Sequence, residues 1–360
     1  MVCTAALAGT LVACSAGSSG TPAAMPGGIS ASGVHALDGD AISLAPAWAP
    51  QDGVKRLQFR SHRIVNPDMQ RGGYYAAEFS GTDIFGWAPK PNKSDAPPIC
   101  SISGGTGFNG IAADRKGHLI APGVFGGVSQ INVYSGPPVC GTLLVSIPDT
   151  TGQPGDADVV LDATKNNILV GEIANYGSHV GDVVVCSYAT LSCGAPVTSS
   201  AITGYGAGVA LATNGDCWMS AGTSEFNLVH PGFVLIYWQG CTGPGQVATG
   251  TLNASYGGLF IDSQGNLGSF DAFSNTLYVY SGCNPACTLV GGPFALKGQS
   301  FFGNLNGAGT RLAVGDYTSG AVDVYNYTPT SLSFHYSFSN GLTPGNIVES
   351  GIFEPTNTHP

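Results

Sequence analysis

The chain has 360 residues, with 12 Lys/Arg against 22 Asp/Glu and a formal net charge of −10. A surface that acidic repels phosphate backbones, so nucleic acid is excluded as a partner. Charged residues are only 9% of the total, while 54 glycines and 23 prolines punctuate a chain that is 43% apolar. This composition excludes disorder over most of the length and, with no three-residue glycine period, collagen.

The charge is uneven: residues 117–360 hold three Lys/Arg against fourteen carboxylates. Solubility accounts for this acidity, with attraction of a cationic ligand as the alternative. In chain order, Thr4 to Ala13 is a short apolar stretch running into Leu11-Val12-Ala13-Cys14-Ser15. That phrase resembles the lipobox of bacterial lipoproteins, which implies cleavage before Cys14 and lipidation of it. No Lys or Arg precedes the apolar core, a departure from the usual charged n-region. Residues 1–14 therefore read as a signal peptide, and the chain as exported to the bacterial cell envelope, lipid-anchored or secreted. No run of 18 apolar residues occurs, so no transmembrane helix is expected and membrane contact comes only through the anchor.

Residues 15–50, rich in Ala, Gly, Ser and Pro, read as a flexible tether. Residues 51–72 form a lead-in segment with Lys55, Arg56, Arg60, Arg63 and Arg71. It reads as a solvated cover over one blade, or as a patch for anionic head groups.

From residue 73 a strand-forming phrase returns about every 43 to 52 residues, the period of propeller blades. It reads Asp83-Ile84-Phe85-Gly86-Trp87, Ile131-Asn132-Val133-Tyr134-Ser135, Val183-Val184-Val185-Cys186-Ser187, Val234-Leu235-Ile236-Tyr237-Trp238, Leu277-Tyr278-Val279-Tyr280-Ser281 and Val322-Asp323-Val324-Tyr325-Asn326. Six copies predict an all-β, six-bladed β-propeller of four-stranded antiparallel blades over residues 73–354, with 355–360 as a tail. In blade 2 the strands are expected at Phe108 to Asp114, His118 to Val124, Gln130 to Ser135 and Gly141 to Ile147. Tight turns recur at Asn214-Gly215-Asp216, Ser263-Gln264-Gly265-Asn266 and Gly307-Ala308-Gly309-Thr310, where Gly and Asn supply positive φ. The last pattern, Asn346 to Phe353, has no partners after it, and Tyr74 to Phe79 lacks an inner strand before it. Pairing the two closes the ring and removes exposed edges.

This repeat form, as in Gly110-Ile111-Ala112-Ala113-Asp114 and Leu277-Tyr278-Val279-Tyr280-Ser281, resembles the NHL-repeat and gluconolactonase-like group of six-bladed propellers. More narrowly, it resembles the bacterial lipoprotein type whose blades end in a Val-Tyr-Ser phrase. The resemblance spans about residues 73–354. It implies architecture more than function, because the fold hosts enzymes and binding scaffolds alike.

Cysteine usage fits an exported protein. Cys186 and Cys193 flank one hairpin, Cys283 and Cys287 another, and antiparallel pairing brings Cys217 to Cys241. Three intrablade disulfides are expected in preference to metal sites, since no histidine lies at zinc-ligand spacing from either close pair. Cys100 and Cys140 occupy equivalent places in neighbouring blades whose outer strands diverge, which argues against their bond and leaves their pairing open.

Chemistry is expected on the face where loops lead into the inner strands and join the second to the third strands. The candidate ligand-binding residues are Tyr176, His179, Tyr205, Glu225, Phe226, His230, Tyr256 and Phe302. The longest such loops are 174–182 and 222–232. Tyr205, Tyr256, Phe302 and Phe226 serve either to stack on a sugar or aromatic ligand or to pack the hub. His179, His230 and Glu225 read as solvated loop residues, with a general acid/base pair as the sharper alternative. Asp156, Asp158, Asn304 and Glu349 form a candidate calcium-type set. In the gluconolactonase group, the resemblance implies, a divalent metal there polarises a lactone carbonyl. The simpler reading makes the aspartates turn caps and Glu349 a solvent-facing channel residue, so no cofactor is expected unless calcium occupies that set.

No Gly-x-Ser-x-Gly elbow and no helix to carry one are present. The favoured function is a ligand- or protein-binding scaffold whose partner is an envelope or extracellular protein or a carbohydrate. The alternatives are a metal-dependent lactonase or hydrolase, and a structural or adhesive surface protein.

Overall fold

A computed structural model describes residues 73–78, 83–88, 97–106, 110–113, 118–125, 128–135, 141–149, 158–162, 167–172, 180–223, 232–253, 255–344 and 348–353. The expected signal, tether, lead-in and tail, with Cys14, Asp156, Tyr176, His179, Glu225, Phe226 and His230, lie outside the described residues. Of Glu349 only the backbone is described.

Six antiparallel sheets form a ring, one per repeat. Blade 1 holds, from the channel outward, Val348–Phe353, Gly73–Glu78, Asp83–Trp87 and Cys100–Ser103. Blade 2 has second to outer strands Leu119–Phe125, Val128–Tyr134 and Leu143–Pro148. Its inner position is split between Gly105–Thr106 and Ala112–Ala113, where one continuous strand was expected. Blade 3 runs Asp158–Asp162, Asn167–Glu172, Asp182–Ser187 and Ser192–Cys193; blade 4 runs Gly206–Leu211, Cys217–Gly222, Phe233–Trp238 and Gln246–Val247. Blade 5 runs Leu259–Ile261, Leu267–Asp271, Thr276–Ser281 and Ala286–Ala295, and blade 6 Gly303–Leu305, Arg311–Asp316, Ala321–Thr328 and Ser331–Phe338. A fifth strand, Thr249–Gly250, adds to blade 5 in parallel with its outer strand. The only helical turn among the described residues is the 3-10 turn Gln239–Cys241.

All six recurring phrases fall on third strands. These strands are buried between neighbours, which explains their β-branched and aromatic content. The expected closure also forms. Val348–Phe353 pairs with Gly73–Glu78 over six residues, from Gly73 opposite Phe353 to Glu78 opposite Val348. Each inner strand lies beside the next around the ring.

The core is divided among the seams. Six apolar clusters each join two neighbouring blades, as Ile131 and Ile147 of blade 2 meet Val170 and Val184 of blade 3. The hub is tight enough to demand glycine: a Cβ on Gly208 of blade 4 would collide with the backbone of Gly257 and Gly258 leading into blade 5. The turns between inner and second strands carry positive φ at Gly215 (92°), Gly265 (80°) and Gly309 (66°), as the sequence demanded.

Disulfides Cys186–Cys193, Cys217–Cys241 and Cys283–Cys287 all form within their blades. Cys100 is also disulfide-bonded, which corrects the argument from diverging outer strands that set it apart from a bond. Such pairing indicates an oxidising, extracellular environment. No helix among the described residues is long and apolar enough to cross a membrane.

Candidate functional site

The upper face gathers the connections into the inner strands and the turns from second to third strands. Those turns are built on carboxylates. Asp316, at the end of a second strand, accepts from Thr318 N–H (2.8 Å), Ser319 N–H (3.2 Å) and Ser319 Oγ (2.6 Å). Asp271 repeats the pattern one blade earlier with Phe273 N–H, Ser274 N–H and Ser274 Oγ, and adds Ser255 Oγ and Asn253 Nδ2. Glu78 of blade 1 accepts from Thr343 N–H. The two aspartates are Asx-type caps that fix the turn and orient the side chains it carries.

Aromatic rings connect these turns. Phe273 packs on Phe233 (centroids 6.1 Å apart), Phe233 on Tyr256 (5.7 Å), Tyr256 on Phe301 (6.0 Å) and Phe301 on Tyr317 (6.1 Å). The arc crosses blades 4, 5 and 6. Its middle is buried and its two ends, Phe273 and Tyr317, are half-exposed beside exposed Ser274, Thr318 and Ser319. Of the expected ligand-facing aromatics, Tyr256 and Phe302 are buried in this cluster, at 1% and 2% exposure, where they pack the hub. Tyr205 is half-buried. The arc's outer rings were missed. Phe273 and Tyr317 sit two residues and one residue after a capping aspartate, in Asp271-Ala272-Phe273-Ser274 and Asp316-Tyr317-Thr318-Ser319, and that repeat was the available signal.

In the channel, Asp158 is fully buried at the upper end of the inner strand of blade 3. Its Oδ1 accepts from Val159 N–H (2.8 Å) and its Oδ2 from Val209 N–H of blade 4 (2.9 Å). Burial pushes its carboxyl up to about 8, against the pull of those two N–H groups. Asn304 of blade 6 donates to Ile111 O of blade 2 (3.0 Å). The two sit on opposite blades, engaged with different backbones. Among the described residues no three His, Cys, Asp or Glu side chains gather to hold a metal ion. Below them a cavity of about 180 Å³ is ringed by Ala113, Leu161, Leu211, Ile261 and Leu305, one from each of five blades, with Asn304 as its polar side chain.

Register brings together another acidic group that sequence alone did not reveal. Glu172 and Asp182 lie directly opposite each other in blade 3, both fully buried. They share a face with Val170 and Val184, and so point at blade 2. Ser129 and Asp149 of blade 2, on the face of Ile131 and Ile147, point back at them across the same seam. Nothing local marks these residues as buried; only strand register does.

The site thus belongs to a disulfide-stapled six-bladed propeller with a capped, aromatic upper face. One solved structure shares this architecture. A chain in the crystal structure of a nidogen/laminin complex matches over 80% of this chain and 100% of that one, with a TM-score of 0.56 at 11% identity. A functionally unknown protein from Desulfotomaculum acetoxidans matches over 76% and 81%, with a TM-score of 0.48 at 15% identity. With 720 solved chains matching, the likeness defines an architecture and leaves the ligand to the side chains. No protein-family model and no curated protein sequence matches.

Proposed function

We propose that the chain is an exported, lipid-anchored scaffold of the bacterial cell envelope, of the NHL-repeat propeller type, that binds carbohydrate on its upper face over blades 4 to 6. The observation that carries this is the arc ending in half-exposed Phe273 and Tyr317 beside the exposed Ser274, Thr318 and Ser319. Aromatic faces flanked by uncharged hydroxyls suit a sugar, whose C–H faces stack and whose hydroxyls hydrogen-bond. A ring held by six packed seams keeps that surface in place without help from a ligand. Catalysis has no comparable support, since Asp158 and Asn304 are each committed to a backbone partner in different parts of the hub.

The test is binding of the full chain to a panel of immobilised glycans, with peptidoglycan fragments and neutral polysaccharides represented. Phe273→Ser with Tyr317→Ser should weaken a positive interaction tenfold or more and leave the unfolding midpoint within a few degrees. Undiminished binding by the double variant would remove the upper face from consideration. If the full chain binds no glycan but captures an envelope protein in a Phe273- and Tyr317-dependent manner, the face stands and the partner class changes.

A further inference from the structure

Only two Lys or Arg side chains, Lys297 and Arg311, lie among the described residues, both in or beside blade 6. Lys297 is neutralised: its Nζ lies 3.3 Å from Asp323 Oδ1 and donates to Ser337 Oγ at 3.1 Å. Arg311 is not. Its guanidinium has no ion-pair or hydrogen-bond partner among the described residues, and Nη1 is buried away from solvent.

Register fixes where this side chain points. Arg311 stands opposite Asn326, and two residues on Ala313 stands opposite Val324. Ala313 and Val324 face blade 1, packed with Ala76 and Trp87 in the seam where the ring closes. Residues two apart on a strand share a face, so Arg311 lies in that seam, at its lower end. There its charge acts on His335 and on Tyr336, whose hydroxyl meets that of Tyr74 from blade 1 at 2.7 Å. The same seam holds a second orphan donor: Trp87 is fully buried and its Nε1 has no acceptor among the described residues.

Buried polar groups in native proteins find partners, and a half-buried charge left uncompensated is expensive. Both orphans are donors, so the missing partner is an acceptor, and for a guanidinium an anion. The planar fork of Arg311 offers paired N–H groups that match a carboxylate, phosphate or sulfate edge. Among the described residues Arg311 is the one cationic side chain without an anionic partner, in a chain whose residues 117–360 carry fourteen carboxylates, so a small anion meets attraction at this guanidinium.

We infer that the lower end of the seam between blades 6 and 1 is an anion site, in which a compact oxyanion seats against the Arg311 guanidinium beside the Tyr74–Tyr336 hydroxyl pair. The site is independent of the upper face. An anion there ties blade 6 to blade 1 from outside the backbone, adding to the strand closure.

The experiment is calorimetric titration of the full chain with acetate, inorganic phosphate and sulfate at constant ionic strength set by chloride, with His335 followed by NMR. Saturable one-site binding of at least one anion is expected, weakened tenfold or more in Arg311→Gln. Arg311→Lys, which keeps charge but not the fork, should fall between. His335 is held below the usual imidazole range first by desolvation and then by Arg311, so a bound anion should raise its titration midpoint in the native chain and not in Arg311→Gln. Acetate preferred over the tetrahedral ions assigns a carboxylate ligand, and the reverse assigns phosphate or sulfate. Absence of saturable binding by all three, or equal binding by wild type and Arg311→Gln, overturns the site. If circular dichroism shows Arg311→Gln unfolded, the comparison with Arg311→Lys decides in the same way.

Discussion

Asp158 and Asp271 are both buried aspartates near the upper face, yet their proton affinities move in opposite directions. For Asp158 burial dominates, and two backbone N–H groups fail to offset it, so its carboxyl rises to about 8. Burial also raises Asp271, but there the hydroxyls of Ser274 and Ser255 and the N–H groups of Ser274 and Phe273 outweigh it and the net shift is downward. The count of donors decides the sign. The folded state therefore holds a proton on Asp158 that the unfolded chain releases near pH 4. Its contribution to stability is present below that unfolded value and is lost as pH rises towards 8. The slope is at most about 1.4 kcal/mol per pH unit. Urea midpoints measured from pH 4 to 8 should fall for the native chain relative to Asp158→Asn, whose side chain does not titrate. Parallel curves for the two proteins would show that Asp158 is ionised throughout and that its two N–H bonds prevail over burial.

At the scale of the strand, legibility followed the reason each strand is built as it is. Third strands were read correctly because they are packed on both faces and so carry an unbroken Val, Ile, Tyr and Trp signature, as in Phe233–Trp238. Inner strands gave a weaker signal. Leu259–Ile261 and Gly105–Thr106 are short, and the hub selects glycine at Gly208, Gly257 and Gly258 for close backbone approach, which erases β propensity. The parallel addition of Thr249–Gly250 to blade 5 had no local mark at all. The candidate site was read less well than the fold for a related reason. Whether Tyr256 stacks on a ligand or packs the hub, whether Glu172 is buried, and which seam Arg311 enters depend on register between distant strands. Residue type and spacing do not carry that information.

The disulfides close loops of very different length. Cys217–Cys241 has a sequence separation of 24, and Cys283–Cys287 one of 4. By loop-closure entropy the first constrains the unfolded chain by about 3.5 kcal/mol and the second by about 2 kcal/mol. Replacing Cys217 and Cys241 by alanine should therefore lower the urea midpoint more than replacing Cys283 and Cys287. The reverse order would mean that native packing around Cys283, whose carbonyl accepts from Trp218 Nε1 at 2.6 Å, outweighs chain entropy.

At the scale of the molecule, the ring depends on one strand that arrives last. Val348–Phe353 is the inner strand of blade 1 and the hub neighbour of both blade 6 and blade 2. Deleting residues 345–360 would remove six residue pairings from Gly73–Glu78, leave that strand as an open edge, and take away the hub neighbour of the inner strands on both sides. Loss of a single outer strand, Ser331–Phe338, would instead expose an edge already at the rim. Open edges of this kind pair with whatever strand is offered. The C-terminal deletion should consequently lose cooperative thermal unfolding and move to oligomers on size exclusion, and a synthetic peptide of residues 345–356 added in excess should restore the monomer. Recovery by the native peptide but not by one with Gly351→Pro would tie the effect to strand pairing, because proline removes a backbone donor. A deleted chain that stays monomeric and unfolds cooperatively would show that the six apolar seams hold the ring without its clasp.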